Sequence, residues 1–247
     1  MFTTEMIFGV VLTAVPILLS LSVHEFAHAR TALAFGDPTA KAMGRCTLNP
    51  LAHLDPIGTL AIMLIGFGWA RPVPINPANL HPRRLGNIAV SAAGPLSNLA
   101  IAAVCAGILH ILGATGATID NRAGASLAVI DVVVFVLMYT GLINLALMAF
   151  NLLPLFPLDG HHIGREMLPW HRQGPYMRWQ LQYGRWVLLG ALFIPRLLGP
   201  MGRSLNVLGW YFGRVVFPLF GMMMSDRALV LVTNALDKLH GFSPLFR

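Results

Sequence analysis

Apolar residues in this chain come in long blocks separated by short polar, proline-bearing stretches, and the block lengths set the elements. Met6 to about Phe35 is the first block, with no charged residue from Met6 to Val23. It exceeds the ~20 residues a helix needs to cross a bilayer and is predicted to be the first span, stopped at Gly36-Asp37-Pro38. Residues 39–56 are mixed and polar, punctuated by Asn49-Pro50 and Asp55-Pro56, and read as loop or short extended structure. Ile57 to Ala70 is apolar but only 14 residues long, a length that suits a re-entrant segment better than a crossing. The stretch Arg71-Pro72-Val73-Pro74-Ile75-Asn76-Pro77 holds three prolines, which exclude helix and predict extended backbone.

Two further long blocks follow. Gly86 to Leu112 contains no Asp, Glu, Lys or Arg; its small residues at Ala92-Ala93-Gly94-Pro95 allow close helix approach, and Asn98 is a polar group that must find a partner or line a site. Beyond a Gly- and Ala-rich loop over 113–126, Leu127 to Leu153 forms the third block and ends in Asn151-Leu152-Leu153-Pro154-Leu155-Phe156-Pro157-Leu158-Asp159-Gly160. Residues 160–185 are basic and aromatic and read as an interfacial segment. Trp186 to Leu198 and Leu205 to Met224 read as a final hairpin, interrupted by Pro195-Arg196 and Arg214, with 225–247 as an amphipathic cytoplasmic tail. The expected fold is an all-α polytopic membrane protein of about five to six crossing helices, with a short re-entrant or extended segment within residues 36–85. Residues 1–247 read as one integral-membrane domain.

Composition agrees with this pattern. Of 247 residues 56% are hydrophobic and 11% charged, against about 25% charged in a soluble domain, and mean hydropathy is +0.68. The net charge of +7 is carried by loops between apolar blocks, which points to the positive-inside rule and away from nucleic acid. Arg30 near the end of the first block, Lys41 and Arg45 after it, and Arg83 and Arg84 before the next put those ends in the cytoplasm. Cys46 and Cys105 are far apart, so neither a disulfide framework nor a thiolate metal site is indicated. The start lacks a basic region and a small-residue cleavage site, so the first helix is expected to be retained.

The candidate chemistry lies in the first block. His24-Glu25-Phe26-Ala27-His28 puts two imidazoles one helical turn apart on one face, with Glu25 beside them. That pattern suits a zinc hydrolase in which two neutral imidazoles hold one Zn²⁺, a third ligand completes the set, and Glu25 accepts a proton from water. Ionisable groups inside a membrane helix cost roughly 2.5–3.5 kcal/mol each and are read as functional. Asp159 follows two prolines that break the third block, so it stands on irregular backbone at the same membrane face, a position from which it can serve as third ligand. The alternative is a membrane transporter or a non-proteolytic metal-binding membrane protein, in which the same groups form an ion path.

These residues resemble the site-2 protease group of intramembrane zinc metalloproteases, in its compact bacterial and archaeal form. The likeness rests on His24 to His28, on Asn151-Leu152-Leu153-Pro154 with Pro157-Leu158-Asp159-Gly160, and on two stretches similar to segments of compact members, Gly44 to Gly58 and Ala93-Gly94-Pro95-Leu96-Ser97-Asn98. It implies that His24, His28 and Asp159 bind one zinc ion per chain, that Glu25 is the general base and that Asn151 stabilises the oxyanion. It also implies a single-span membrane protein as substrate, cleaved at the cytoplasmic side of the cell membrane. His161-His162 departs from the expected Gly or Ser followed by Arg and adds a potential ligand nearby. No length is left for the PDZ or CBS modules that some relatives carry.

Overall fold

The computed structural model describes residues 4–58, 70–120 and 128–242. It is helical, with no strand among the described residues. Helix α1 (Thr4–Ala34) is followed by two single turns, α2 (Thr39–Ala42) and α3 (Pro50–His53), and then by α4 (Arg83–Ala114) and α5 (Val129–Asn151). The second half holds α6 (Asp159–Met167), α7 (Trp170–Trp179), a π-helical turn (Gln180–Gly184), α8 (Arg185–Leu197), a 3₁₀ segment (Gly199–Leu205), α9 (Val207–Met222) and α10 (Asp226–Phe242). Three helices are long and apolar enough to cross a membrane, α1 from Val11, α4 and α5, and α9 is a shorter apolar one. The three long blocks of the sequence therefore became helices close to their expected limits, while residues 39–56, expected as loop, contain the two short turns.

The α1, α4 and α5 helices pack as one unit, and α9 and α10 complete its core around Leu12, Ala102, Leu109, Val134, Met138, Leu145, Phe220 and Leu231. Lipid tails are as apolar as leucine, so this packing is held by close van der Waals fit and internal hydrogen bonds and not by burial from water.

The Ile57–Ala70 segment lies for the most part outside the described residues, but its two flanks meet. Leu54 and Ala70 form an isolated antiparallel bridge, and Arg71 N–H donates to His53 O at 2.8 Å. Arg71 to Pro77 is extended, as three prolines require. It is tied to the end of α1 by Asp37, a fully buried carboxylate that accepts from Asn76 N–H at 2.7 Å and from the Asn79 side chain at 3.0 Å.

The chain after residue 160 differs most from expectation. The basic segment folds into α6, α7 and the π turn, and α6 packs on the start of α4 through Arg84 and Asn87, which hydrogen-bond Glu166. The expected hairpin is unequal, since α8 has 13 residues and α9 has 16. The tail, expected beside the metal-site end, is instead the helix α10 at the opposite end of the bundle. Gly113 has no side chain, and Ala228 of α10 fits there so closely that a Cβ would stand 2.8 Å from the Ala228 nitrogen. Lys238 of α10 pairs with the buried Asp131 in the first turn of α5 at 2.6 Å. Gly113 is 19 residues beyond Gly94 on α4, about 28 Å along the helix at 1.5 Å per residue. The physical reason for the displacement is α9, which runs the length of α5: Tyr211 OH donates to Ala149 O at 3.2 Å near one end, and Phe220 covers Gly141 halfway along.

Candidate metal centre

One helical turn brings His24 and His28 onto the same face of α1, and their Nε2 atoms lie 3.0 Å apart. Asp159, the first residue of α6, meets both. Its Oδ2 is 3.3 Å from His24 Nε2 and its Oδ1 is 3.4 Å from His28 Nε2. These three residues offer ligand atoms within 4.8 Å of one another. They form a set able to hold one metal ion.

The hydrogen bonds around the set tell which nitrogens are free. His28 Nδ1 lies 2.7 Å from the Val90 carbonyl, which can only accept, so Nδ1 carries the proton. His24 Nδ1 lies 2.6 Å from Asn98 Oδ1, an amide oxygen whose own Nδ2 is committed to Asn144, so the same holds there. Both Nε2 lone pairs then point at one spot with the Asp159 carboxylate, whose Oδ2 is buried without a hydrogen-bond donor. Acceptors crowded in this way repel one another until a cation sits among them, and the residues therefore fit a divalent metal.

The surrounding protein is built to keep this arrangement. From His24 a chain of amides crosses the bundle: Asn98 Nδ2 donates to Asn144 Oδ1 at 2.7 Å, Asn144 Nδ2 donates to Ser20 Oγ at 2.7 Å and to Thr140 O at 2.8 Å, and Ser20 Oγ donates to Pro16 O at 2.6 Å. Asn98 and Asn144 are fully buried. Every step has one donor and one acceptor, so the network fixes the tautomer of His24. Gly94 lies against the two imidazoles. A Cβ there would come within 2.4 Å of His28 Nε2 and 2.6 Å of His24 Nε2, so any side chain would displace a ligand.

Glu25 and Asn151 line the same cavity, of about 320 Å³, with Val73, Asp159 and His162. Glu25 Oε2 accepts from Val73 N–H at 3.1 Å, which sets the carboxylate beside the metal ligands. The extended backbone that the prolines impose leaves that N–H unpaired with its own chain and available. Asn151 Nδ2 donates to Leu147 O on its own helix at 2.9 Å, which leaves its second N–H for another acceptor. Of the two extra histidines, His162 opens onto the cavity. His161 turns away, with Nδ1 on Leu158 O at 2.6 Å and its ring edge-on to Phe156.

Sequence reading singled out His24, Glu25, His28, Asn151 and Asp159, and the structure brings all five to one cavity. It missed Asn144, Ser20 and Gln180. Asn144 had a signal in the sequence, as an amide inside an apolar block. Gln180 had none. It sits buried on the π turn, where its Oε1 accepts from Phe156 N–H at 2.8 Å and its Nε2 donates to Pro154 O at 2.7 Å. It thereby satisfies the proline-broken loop that presents Asp159.

A His-Glu-x-x-His helix completed by a distant carboxylate, inside a bundle of membrane-spanning helices, defines an intramembrane zinc metalloprotease. The model of peptidase family M50 matches residues 12–185, and the chain belongs to that family. Among curated proteins it is 44% identical over 155 residues to "Putative zinc metalloprotease YwhC" of Bacillus subtilis, covering 63% of this chain and 68% of that one. It is 33% identical over 149 residues to "Putative zinc metalloprotease Rip2" of Mycolicibacterium smegmatis, covering 58% and 52%. To the protein of the same name in Mycobacterium tuberculosis (strain Erdman) it is 29% identical over 227 residues, covering 90% and 77%. No solved structure is a significant match. The family relationship disfavours the transporter and the non-proteolytic alternatives.

Proposed function

We propose that the protein cleaves the membrane helix of single-span substrates, with His24, His28 and Asp159 holding one zinc ion, Glu25 as general base and the site facing the cytoplasm across a cell membrane. The observation that carries this reading is the convergence of two Nε2 lone pairs and a carboxylate beside Glu25, in a cavity set among membrane helices. Zinc, when bound, supplies a Lewis acid and brings the pKa of a coordinated water to about 7. Glu25 would accept a proton from water and return it to the leaving nitrogen, and Val73 N–H keeps its carboxylate aimed at the cavity. Asn151, through the N–H not bound to Leu147 O, can donate to the developing oxyanion, an interaction worth about 2.7–4 kcal/mol.

A peptide bond inside a helix has its carbonyl hydrogen-bonded, so about one turn must unwind before attack. Unpaired backbone in lipid costs several kcal/mol per group, and the polar walls of the cavity offset that cost. The test is cleavage of a single membrane helix by the purified protein, abolished by a chelator and restored by zinc. Substrates with Gly, Pro or Asn near the cytoplasmic third should be cut, and replacing those residues with Leu should slow cleavage while binding persists. An all-Leu helix cut at the same rate would refute local unwinding as the limiting step.

The orientation follows from charge. Arg30, Lys41 and Arg45 lie at the metal-site end of α1 and Arg83 and Arg84 at that end of α4, which favours a cytoplasmic site. The meeting of His53 and Leu54 with Ala70 and Arg71 supports placing both flanks of residues 57–70 on one side of the membrane. We read four crossings, α1, α4, α5 and α9, in place of the five to six expected; α8, at 13 residues, suits an interfacial position. On this reading α10 lies on the outer face. A reporter fused after Asn79 should register as cytoplasmic and one after Phe242 as external. A cytoplasmic signal after Phe242 would overturn the four-crossing arrangement.

A further inference from the structure

A second cavity, of about 890 Å³, opens at the foot of α4, walled by Arg83, Arg84, Arg165, Glu166, Trp170 and Met177. It holds three guanidiniums and one carboxylate, and the carboxylate is spent. Glu166 is buried, and its Oε1 accepts from the Arg165 guanidinium and from Asn87 Nδ2. Arg84 donates through Nε to the Glu166 backbone carbonyl at 2.9 Å, which leaves its terminal nitrogens for another acceptor. Arg83 has no ion pair among the described residues. Two adjacent guanidiniums thus face one space without a counter-charge. They stand on the first turn of a 32-residue helix whose N-terminus no side chain caps, so the helix dipole adds to their field.

Depth selects the anion. Arg83 and Arg84 are the last charged residues before the apolar run of α4, which puts their side chains at the level of the lipid headgroups. In the cavity wall, Trp170 and Met167 are 87% and 72% exposed. A tryptophan and a methionine beside a basic cavity fit the boundary between headgroups and acyl chains. We propose that this cavity binds the phosphate of an anionic phospholipid, with Arg83 and Arg84 taking the phosphate oxygens and Trp170 against the lipid's glycerol and upper acyl region. The inference rests on the membrane location of α4 and not on the protease reading. It has a consequence for the metal centre, because Arg84 also fastens α6, and α6 begins with Asp159.

The experiment uses the full chain in neutral detergent, with dioctanoyl phosphatidylglycerol, dioctanoyl phosphatidylcholine and inorganic phosphate as separate probes and native mass spectrometry as readout. The wild type should retain phosphatidylglycerol over phosphatidylcholine by at least about tenfold, roughly 1.4 kcal/mol, because the two lipids share the phosphodiester but the choline cation cancels its charge beside the two guanidiniums. Arg83→Glu should abolish that preference, while Arg196→Glu on α8, an equal change of charge elsewhere, should keep it. Arg83 holds no contact that the fold depends on, so zinc content and thermal stability should be unchanged; Arg83→Gln is the milder variant if they are not. Equal retention of phosphatidylglycerol by the wild type and both Arg83 variants would overturn the site. Displacement of the lipid by an equal concentration of inorganic phosphate would overturn the assignment to a lipid and make it a soluble-anion site.

Discussion

Glu25→Gln is expected to keep about one zinc per chain and to lose proteolysis by roughly 10²–10⁴-fold, the usual contribution of a positioned general acid–base group. His24→Ala, His28→Ala and Asp159→Ala are expected to lose both. The distinction follows from geometry: the two Nε2 atoms and the Asp159 carboxylate converge within 4.8 Å, whereas Glu25 lines the cavity beside them with its carboxylate on Val73 N–H. Removing Glu25 takes a proton acceptor and leaves the ligand set whole. Removing a ligand leaves two donors, fewer than a zinc hydrolase site uses. Metal analysis of the purified variants, beside a cleavage assay, decides the matter. Stoichiometric zinc in Asp159→Ala would refute the three-ligand set and direct attention to His162, which opens onto the cavity, and not to His161, which is turned onto Leu158 O.

Asn98→Leu is expected to weaken zinc binding by about 10–100-fold, the range found when a partner of a metal-bound histidine is removed. The Asn98 oxygen is the acceptor for His24 Nδ1 at 2.6 Å, and without it the imidazole loses both its tautomer and its orientation. A buried donor left unpaired costs a further ~1–3 kcal/mol of stability. Asn98→Asp keeps an acceptor toward His24 and should recover part of the affinity, which a purely space-filling role for Asn98 would not allow. Asn144→Leu should act in the same direction through Asn98, and the double variant should lose less than the two singles combined, because the residues belong to one network. Zinc affinity is to be read by chelator competition, with thermal stability as the parallel measure. Wild-type affinity in Asn98→Leu would show that the relay does not position His24.

The arrangement explains how a charged, wet reaction is housed among lipid-facing helices. Polar groups at this depth are costly unless paired, and the amides around the metal ligands have partners. Asn98, Asn144 and Ser20 satisfy one another across three helices, and Gln180 satisfies the proline loop. The three acceptors left facing one another are the ones that a cation fits.

The sequence by itself determined the features that depend on local order along the chain. A run of apolar residues longer than a bilayer is thick makes a helix whatever its neighbours do, so α1, α4 and α5 were legible. Four residues make about one turn, so His24 and His28 shared a face before any contact was known. Prolines break a helix where they stand, so the turn before Asp159 and the backbone at Val73 were legible as non-helical, although Asp159 itself, expected on irregular backbone, opens the helix α6. Tertiary structure alone decided what meets across long intervals. The pairs His24–Asn98, Asn98–Asn144 and Ser20–Asn144 are separated by 74, 46 and 124 residues. A buried amide announces that it needs a partner but not which one, because its hydrogen-bonding capacity is the same toward any donor or acceptor. The position of α10 was hidden for a related reason. Its apolar positions Ala228, Leu231, Val232 and Ala235 repeat with helical spacing and mark a face to be buried, yet which end of the bundle receives that face was set by the course of α9, by the bare backbone at Gly113 and by the charge of Asp131 waiting for Lys238.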